Sequence, residues 1–509
     1  MNNFKSLYYY EFIKQIHSLK FLLLLIVSVL VTFICIYTQT KDFENKKHVY
    51  QGELIKADKI KDSFRVYADF KIPILIAPNP LSIFAKGEED LIGNKIEVSI
   101  TELPELEQNI QRENPFLNIF NAFDILTLVQ MVFSLFIILL TSDVITREKE
   151  DHTLKYIFVN EVGRVEYFIS KLFANFTILL IPLISIFLMT LLFIQLSPEI
   201  TLGAENWLKV VLIFFSCVIY ISIFLTIGLF LSLMCKTSNN SLMLGLLLWI
   251  TIVFIYPNTV KYIVCRTYPI PTNYSINSQK NKINDDLEKN FMSNFYNSVD
   301  WSISGGNMNL YFLAYEETNY KGLPRFIGVL QKYLLEGYIK ALNKDFPMLF
   351  DAQKEIEQVN EQVLKAHQKQ DQIISSFLCI NPNYLLEEGT TILAGTNYKY
   401  RKILIEQKVR LYRKQLLRYL DNKDAFSASF FTWMTPDNMK HFTKDYSNEE
   451  IIELENEIKS LKLELSDIPQ FNMVQDIHVP IVLVQLLLIF LVLFGASFYF
   501  LNKKIIITQ

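Results

Sequence analysis

Six long apolar runs separate the hydrophilic parts of this chain, and each is long enough to cross a bilayer as a helix. They cover residues 21–40, 125–142, 172–196, 208–234, 241–260 and 479–501. The first run ends in Ile36-Tyr37-Thr38-Gln39 and has no small-residue cleavage site, so we expect it to remain as an anchor. The pattern predicts an α-helical polytopic membrane protein with six transmembrane helices.

The short loops between the runs set the predicted orientation, because lysine and arginine accumulate in short cytoplasmic loops. Residues 143–171 carry several of these side chains, whereas residues 197–207 carry none. The first loop is therefore expected to be cytoplasmic, together with residues 235–240, and the second to be external. Both termini, residues 1–20 and 502–509, are then cytoplasmic. We expect the compartment to be a bacterial cytoplasmic (inner) membrane.

Two long hydrophilic segments are expected outside the membrane. Residues 41–124 contain short β-like runs, Phe64–Tyr67 and Ile96–Ile100, between prolines and glycines, and they predict a small strand-rich external module. Residues 261–478 show apolar positions at helical spacing and predict a larger, mainly helical external domain.

Composition excludes several classes of function. The chain is 51% hydrophobic, its net charge is only -3 and it has no basic tract, so a nucleic-acid partner has no support. The apolar runs hold no charged residue or histidine near the bilayer centre, which disfavours a proton- or ion-driven transporter. No phosphate-binding loop, catalytic motif or metal-ligand spacing occurs, so neither enzyme activity nor a metal or cofactor is predicted in this chain. Whether Cys265 and Cys379 form a disulfide stays open.

Residues 143–171 are the most charged of the short loops and are amphipathic. Such a segment can lie along the inner face of the membrane and present charges of both signs to a partner. It can equally be an ordinary solvated loop whose surface salt bridges contribute little. Charge pattern alone favours the solvated loop.

The residues of this loop also resemble the permease subunits of ABC-2 type exporters. In that family an acidic segment containing Thr-Leu is followed by an arginine and then by Lys-Leu at the start of the next span. The matching positions here are Glu148 or Glu150, Thr153-Leu154, Arg164 and Lys171-Leu172. The family usually has glycine before Thr-Leu and proline before the arginine, where this chain has His152 and Glu161.

Other segments are similar to the same family, in particular to the branch of the nitrous-oxide-reductase-maturation and gliding-motility permeases. The segment before the first run resembles the family's interfacial elbow helix, with these residues on one face: Tyr8, Phe12, Ile13 and Ile16. The remaining similar stretches are Pro80 to Gly87, the fifth run with Trp249 and Tyr256-Pro257, Asn381-Pro382 and Tyr412-Arg413.

The resemblance implies a permease in contact with membrane lipid that pairs with itself or with a related permease, as a homodimer or a heterodimer. It also implies two cytoplasmic ATPase subunits, which bind ATP and magnesium and dock on the loop. The residues expected in this docking surface and coupling helix are Glu148, Glu150, Thr153, Leu154, Arg164 and Lys171. Export as the direction of transport follows from the resemblance alone, and the substrate stays open.

A different class of function fits the same pattern. The large external mass is also what a membrane-anchored scaffold or mechanotransmission protein needs, moving its outside domains without translocating a solute. Within that mass, Phe431 and Trp433 are candidates for contact with a lipidic substrate or a partner, although aromatic residues in such a setting more often belong to a core.

Overall fold

The computed structural model describes most of the chain, and every structural statement below concerns only those residues. They are residues 2–61, 71–87, 89, 93, 95–100, 103–104, 124–160, 162–298, 329–422 and 481–507. The predictions made for Phe64–Tyr67, Phe431 and Trp433 fall outside this part of the chain and stay predictions.

The described residues are almost entirely helical. In chain order the elements are α1 (Asn2–Ile16), α2 (Leu19–Lys61), β1 (Lys71–Leu75), β2 (Lys95–Ser99), α3 (residues 125–141), α4 (Thr146–Glu150), α5 (Thr153–Val159), α6 (Arg164–Leu196), α7 (Ala204–Met234), α8 (Ser238–Thr267), α9 (Asn273–Ser298), α10 (Val329–Leu378), α11 (Pro382–Ala394), α12 (Tyr398–Asn422) and α13 (Ile481–Ile507). Helix α3 contains a π-helical turn at Leu128–Phe133, and α8 contains another at Thr251–Ile255.

Six of these helices are long and apolar enough to cross a membrane, which confirms the predicted six-span, α-helical fold class. They are α2, α3 with the short α4 beyond it, α6, α7, α8 and α13. We call the end of this bundle that carries α1, α4 and α5 the loop end. The opposite end, which carries β1, β2, α9, α10 and α12, is the insert end.

Helix α2 is much longer than the predicted first span. It continues from the apolar run to Lys61, a length of about 64 Å, so roughly half of it extends beyond the hydrocarbon core. Residues 41–61 contain no proline, and ion pairs at helical spacing support this extension, including Lys41–Glu44 at 2.7 Å and Lys56–Glu53 at 2.6 Å. The segment predicted as a strand-rich module, residues 41–124, therefore begins with helix, and its first described strand starts at Lys71.

In the described residues of the predicted strand-rich module there is one antiparallel pair, in which Lys71 faces Ser99 and Leu75 faces Lys95. Helices from the second hydrophilic segment cover the end of β2. The buried Arg413 guanidinium donates to the Ile100 carbonyl at 3.2 Å, and it reaches the Gln353 Oε1 at 2.6 Å. Burial lowers the pKa of Arg413. The two hydrophilic segments thus pack as one body and not as two separate modules.

Within the bundle, α3 is pressed between α7 and α8 through two glycines. A Cβ at Gly228 of α7 would lie 1.8 Å from the Thr141 Oγ1, and a Cβ at Gly245 of α8 would lie 2.7 Å from a methyl of Ile138. Small residues allow backbones in a membrane to approach this closely. The outer faces of α8 and α13 are largely exposed apolar side chains, as expected of helices that face lipid.

Helix α11 lies where the sequence did not place it. The whole of residues 261–478 was predicted to be external, yet α11 packs between α7 and α13, and its first residues contact Ile252 near the middle of α8. The buried residues of α11 include Leu385 and Leu386, and only Glu387 in its middle is fully exposed. The chain therefore re-enters the bundle from the insert end before it returns to α12.

Candidate functional site

A buried cluster of charged residues joins three elements at the loop end. The Lys171 ammonium of α6 donates to the Glu11 carboxylate of α1 at 2.5 Å and to the Glu148 carboxylate of α4. The three side chains are almost inaccessible, with 2%, 0% and 7% of the residue surface exposed. An ion cluster of this kind is strongly stabilised only when its partners remain in place.

Each carboxylate oxygen of this cluster has a hydrogen-bond donor. The second oxygen of Glu11 accepts from the Gln15 amide at 3.2 Å, and the second oxygen of Glu148 accepts from the Tyr167 hydroxyl. Two carboxylates therefore share one ammonium, and each remaining oxygen has a neutral donor. Removal of any member leaves a buried polar atom without its partner, which is costly in a low-dielectric interior.

Helix α1 is fixed against α6 by polar as well as apolar contacts. The Tyr8 hydroxyl donates to the Thr177 Oγ1 at 3.1 Å, while Phe12 and Ile16 pack against the core. The predicted single apolar face is wrong in one position: Ile13 is 38% exposed, and Glu11 and Gln15 occupy the buried face. The reason is that the buried face of α1 lies opposite Lys171 of α6, and a buried lysine needs a carboxylate partner.

The two residues after Glu148 hold the connection between α7 and α8. The Lys149 ammonium donates to the carbonyls of Ser232 and Cys235, at 2.9 and 3.0 Å, which are freed at the end of α7. The Glu150 carboxylate accepts from the backbone N–H and the hydroxyl of Ser238, at 2.9 and 2.6 Å, where α8 begins. Three consecutive side chains of α4 thus bind α6 on one side and α7 and α8 on the other, and Lys171 of α6 extends the contact to Glu11 of α1.

Helix α5 follows α4 after a turn centred on His152. This residue has φ 58°, the left-handed conformation that glycine adopts most readily, which explains why a glycine is common at this place in the related permeases. Beyond the turn, Leu154 packs against the core, and the Phe158 ring lies edge-on to the Tyr167 ring at 5.5 Å. Thr153 donates weakly to the Glu148 carbonyl at 3.3 Å.

The outward side of α5 is apolar although it faces away from the bundle. Tyr156 is 71% exposed and Val159 is 77% exposed. Arg164 follows at the start of α6, is partly exposed, and pairs with no residue in the described ranges. The two exposed apolar side chains of α5 form a surface that is suited to a protein partner, and Arg164 follows them in the chain.

The structure thus sorts the predicted residues into two groups. Glu148 and Lys171 come together inside and cannot form an outer surface, whereas Thr153, Leu154 and Arg164 lie on or beside α5; Glu150 is exposed but is engaged with α8. Sequence reasoning missed the roles of the buried residues Glu11, Gln15 and Tyr167 and of the half-buried Lys149. A signal for Glu11 was present, because an acidic residue at the i+3 position from Tyr8 shares its helix face.

In the comparison with protein families, a family described as "ABC-2 family transporter protein" matches residues 6–320. The matched range includes α1, the α4–α5 loop and five of the six candidate membrane helices. Among curated proteins nothing matches this chain.

Proposed function

The chain belongs to the ABC-2 transporter family, and from this premise we propose that it is the transmembrane permease subunit of an ATP-driven exporter. ATP and magnesium are bound by separate ATPase subunits that dock at the loop end. This end faces the cytoplasm of a bacterium, since the positive side chains of residues 143–171 favour that side of the membrane. The permease works as a pair, either with a second copy or with a related chain.

One observation carries the proposal: the docking surface of α5 is connected through packed side chains to four of the six spans. A displacement of α5 is transmitted through Phe158 to Tyr167, and from Tyr167 to the Glu148–Lys171 pair of α4 and α6. Lys149 and Glu150 extend the same short helix to α7 and α8. An ordinary solvated loop needs no such buried anchoring, so this arrangement favours a loop that transmits force.

The proposal is tested by purification of the tagged chain from its native host in nanodiscs, with mass spectrometry of bound proteins and an ATPase assay. We expect an ATPase subunit to co-purify. Because exposed aromatic contacts dominate protein interfaces, Tyr156→Asp should weaken its binding about tenfold or more. Arg164→Glu should also weaken binding of the ATPase subunit. Because Arg164 has no partner among the described residues, this change breaks no contact within them.

The chain offers a matched control for the aromatic change. Tyr274 in α9 is 85% exposed at the insert end, so Tyr274→Asp makes the same substitution without touching α5. Equal ATPase binding by the Tyr156 and Tyr274 variants would place the docking surface elsewhere. Purification of the native chain without a bound ATPase would refute the proposed function.

A second function remains open because the insert end is firmly tied to the spans. Helix α11 packs against α7 and α13, and it also contacts the first hydrophilic segment, where the Asn79 amide donates to the Ala394 carbonyl at 2.5 Å. Such contacts suit a mechanotransmission protein, in which ATP hydrolysis moves external domains. A nucleotide-dependent movement of α9 and α10 without flux of any lipid or solute in proteoliposomes would favour this second function.

A further inference from the structure

Two of the membrane helices depart from regular α-helix near α11. Residues Leu128–Phe133 of α3 and Thr251–Ile255 of α8 each form a π-helical turn. Such turns are rare, they loosen the regular ladder of backbone hydrogen bonds, and they occur often at functional sites. In a membrane the carbonyls that they free must find donors within the protein.

Asn381 at the start of α11 and Tyr220 of α7 donate to carbonyls of these turns, and the α3 turn in turn donates to α11. The Asn381 amide donates to the Ile252 carbonyl in the α8 turn at 2.7 Å. The Gln130 amide in the α3 turn donates to the Asn383 carbonyl at 3.0 Å. The Tyr220 hydroxyl of α7 lies between them, 3.1 Å from the Gln130 carbonyl and 3.2 Å from the Asn383 Oδ1.

This polar junction, formed by Gln130, Tyr220, Asn381 and Asn383, is buried. None of its members exposes more than 9% of its surface, and Tyr220 exposes none. The polar junction extends to α8, because the Trp249 indole donates to the Ser134 hydroxyl at 2.7 Å and that hydroxyl donates to the Gln130 carbonyl. Three spans and the start of α11 are therefore joined by one network of uncharged groups.

Helix α11 is built to stay rigid between its ends. The Asn381 Oδ1 accepts from the backbone N–H groups of Asn383 and Tyr384, at 2.8 and 3.2 Å, and so caps the first turn. Gly395 at φ 68° closes the last turn. Between them Gly389 lies against α13 so closely that an added Cβ would come within 2.7 Å of the Leu483 side chain.

The far end of α11 binds the first hydrophilic segment. The Thr396 hydroxyl donates to the Ala85 carbonyl at 2.7 Å, and the Asn79 amide donates to the Ala394 carbonyl at 2.5 Å. Gly87, at φ 52°, contacts the Thr391 methyl, which a Cβ at this position would approach to 2.9 Å. About 20 Å of helix therefore separates the polar junction from residues 79–87.

We propose that α11 is a relay, which carries displacement of α3 and α8 at their π-helical turns to the external segments that include residues 79–87. The two turns supply compliant points in otherwise stiff spans, because a turn with loosened hydrogen bonds changes register more easily than regular helix. The capped helix transmits the shift because both of its ends are anchored by hydrogen bonds. The relay acts beyond the ATPase docking surface and does not require that surface for its test.

Hydrogen–deuterium exchange of the full chain in nanodiscs tests the relay without any ATPase. Asn381→Ala removes both the cap and the bond to Ile252, and Gln130→Leu removes the bond to Asn383 at nearly constant volume. We expect each variant to speed exchange about tenfold at residues 79–87 and 394–396, at the opposite end of α11, since loss of a buried hydrogen bond loosens the helix as a unit. Acceleration confined to residues within a turn of the mutated position would overturn the relay.

Two further variants keep the experiment decisive. Tyr220→Phe removes only the hydroxyl that contacts both Gln130 and Asn383, and it should also speed exchange at residues 79–87 and 394–396. This variant takes the place of Asn381→Ala if Asn381→Ala does not fold. Asn258→Ala changes an exposed asparagine of α8 outside the polar junction and should leave residues 79–87 unaffected. If Asn258→Ala accelerates exchange there as much as Gln130→Leu does, the effect is general loosening of α8 and the relay is refuted. Loss of ATPase co-purification alone bears on the docking proposal and not on the relay.

Discussion

Replacement of Lys171 by methionine tests whether the buried cluster holds α1, α4 and α6 together. The substitution preserves the length of the side chain but leaves the Glu11 and Glu148 carboxylates facing each other without the ammonium that both contact. Glu11 has no exposed surface, so water cannot take over. Breaking a buried ion pair in this way costs about 3–5 kcal/mol of stability.

The measurement is the free energy of unfolding in mixed micelles, with Lys41→Met as the matched control. Lys41 pairs with Glu44 at 2.7 Å, but its side chain is 58% exposed and solvent screens the pair, so its loss should cost far less stability than the loss of Lys171. The triple variant Glu11→Gln, Glu148→Gln and Lys171→Met removes every charge of the cluster. It should recover most of the lost stability, because replacing a whole buried ion cluster with neutral groups is often nearly neutral.

Two results would refute the reasoning. The first is a Lys171→Met variant no less stable than the Lys41→Met control, which would mean that the cluster is effectively solvated. The second is a triple variant as unstable as Lys171→Met, which would mean that the lost stability does not come from the two carboxylates left without their ammonium. If the triple variant is stable yet no longer responds to an ATPase partner, the cluster serves transmission as well as folding.

Three further predictions concern single positions, and all are measured by unfolding in micelles. His152→Gly should be as stable as the native chain or more so, whereas His152→Val should lose about 1–2 kcal/mol, because the position has φ 58°; equal stability of the two variants would contradict this. Gly228→Ala should cost about 1–3 kcal/mol, since its Cβ would lie 1.8 Å from the Thr141 Oγ1, while Gly52→Ala, with nothing within 4 Å, should cost nothing. Burial raises the pKa of Asp124 above its ordinary value of 3.8, so the folded state binds more protons than the unfolded state and stability should fall as the pH rises through that raised pKa. Asp124→Asn should abolish this fall of stability with rising pH. If the fall is unchanged in the variant, other titrating groups cause it.

Much of the architecture was predictable because the features that decide it are local. A run of about twenty apolar residues inserts as a helix whatever surrounds it, and the structure confirms six such helices. The loop of α4 and α5 was identified through its resemblance to a family pattern, which the family match now supports. The extension of α2 beyond residue 40 was missed, because the helix was predicted to end with the apolar run, whereas ion pairs at helical spacing continue it through the polar residues that follow.

The candidate site was predictable only in part. Glu148 and Lys171 were named from the family pattern, but their mutual contact and their burial were not, and Glu11 was missed although it lies within hydrogen-bonding distance of Lys171. Glu11 and Lys171 are separated by 160 positions in the chain, and no periodicity links positions so distant. The exposed side chains of α5, Tyr156 and Val159, were also invisible as a surface until the rest of the loop was seen packed beneath them.

The spans and their number follow from the residues of each segment, because transfer of an apolar helix into lipid depends on that segment alone. The family follows from short motifs in a fixed order. The folded chain alone shows which carboxylates surround Lys171 and that α11 re-enters the bundle beside Tyr220. Both depend on polar groups whose place inside a membrane protein is favourable solely because a partner from another segment meets them there, and that partner is chosen by the packing of the whole chain.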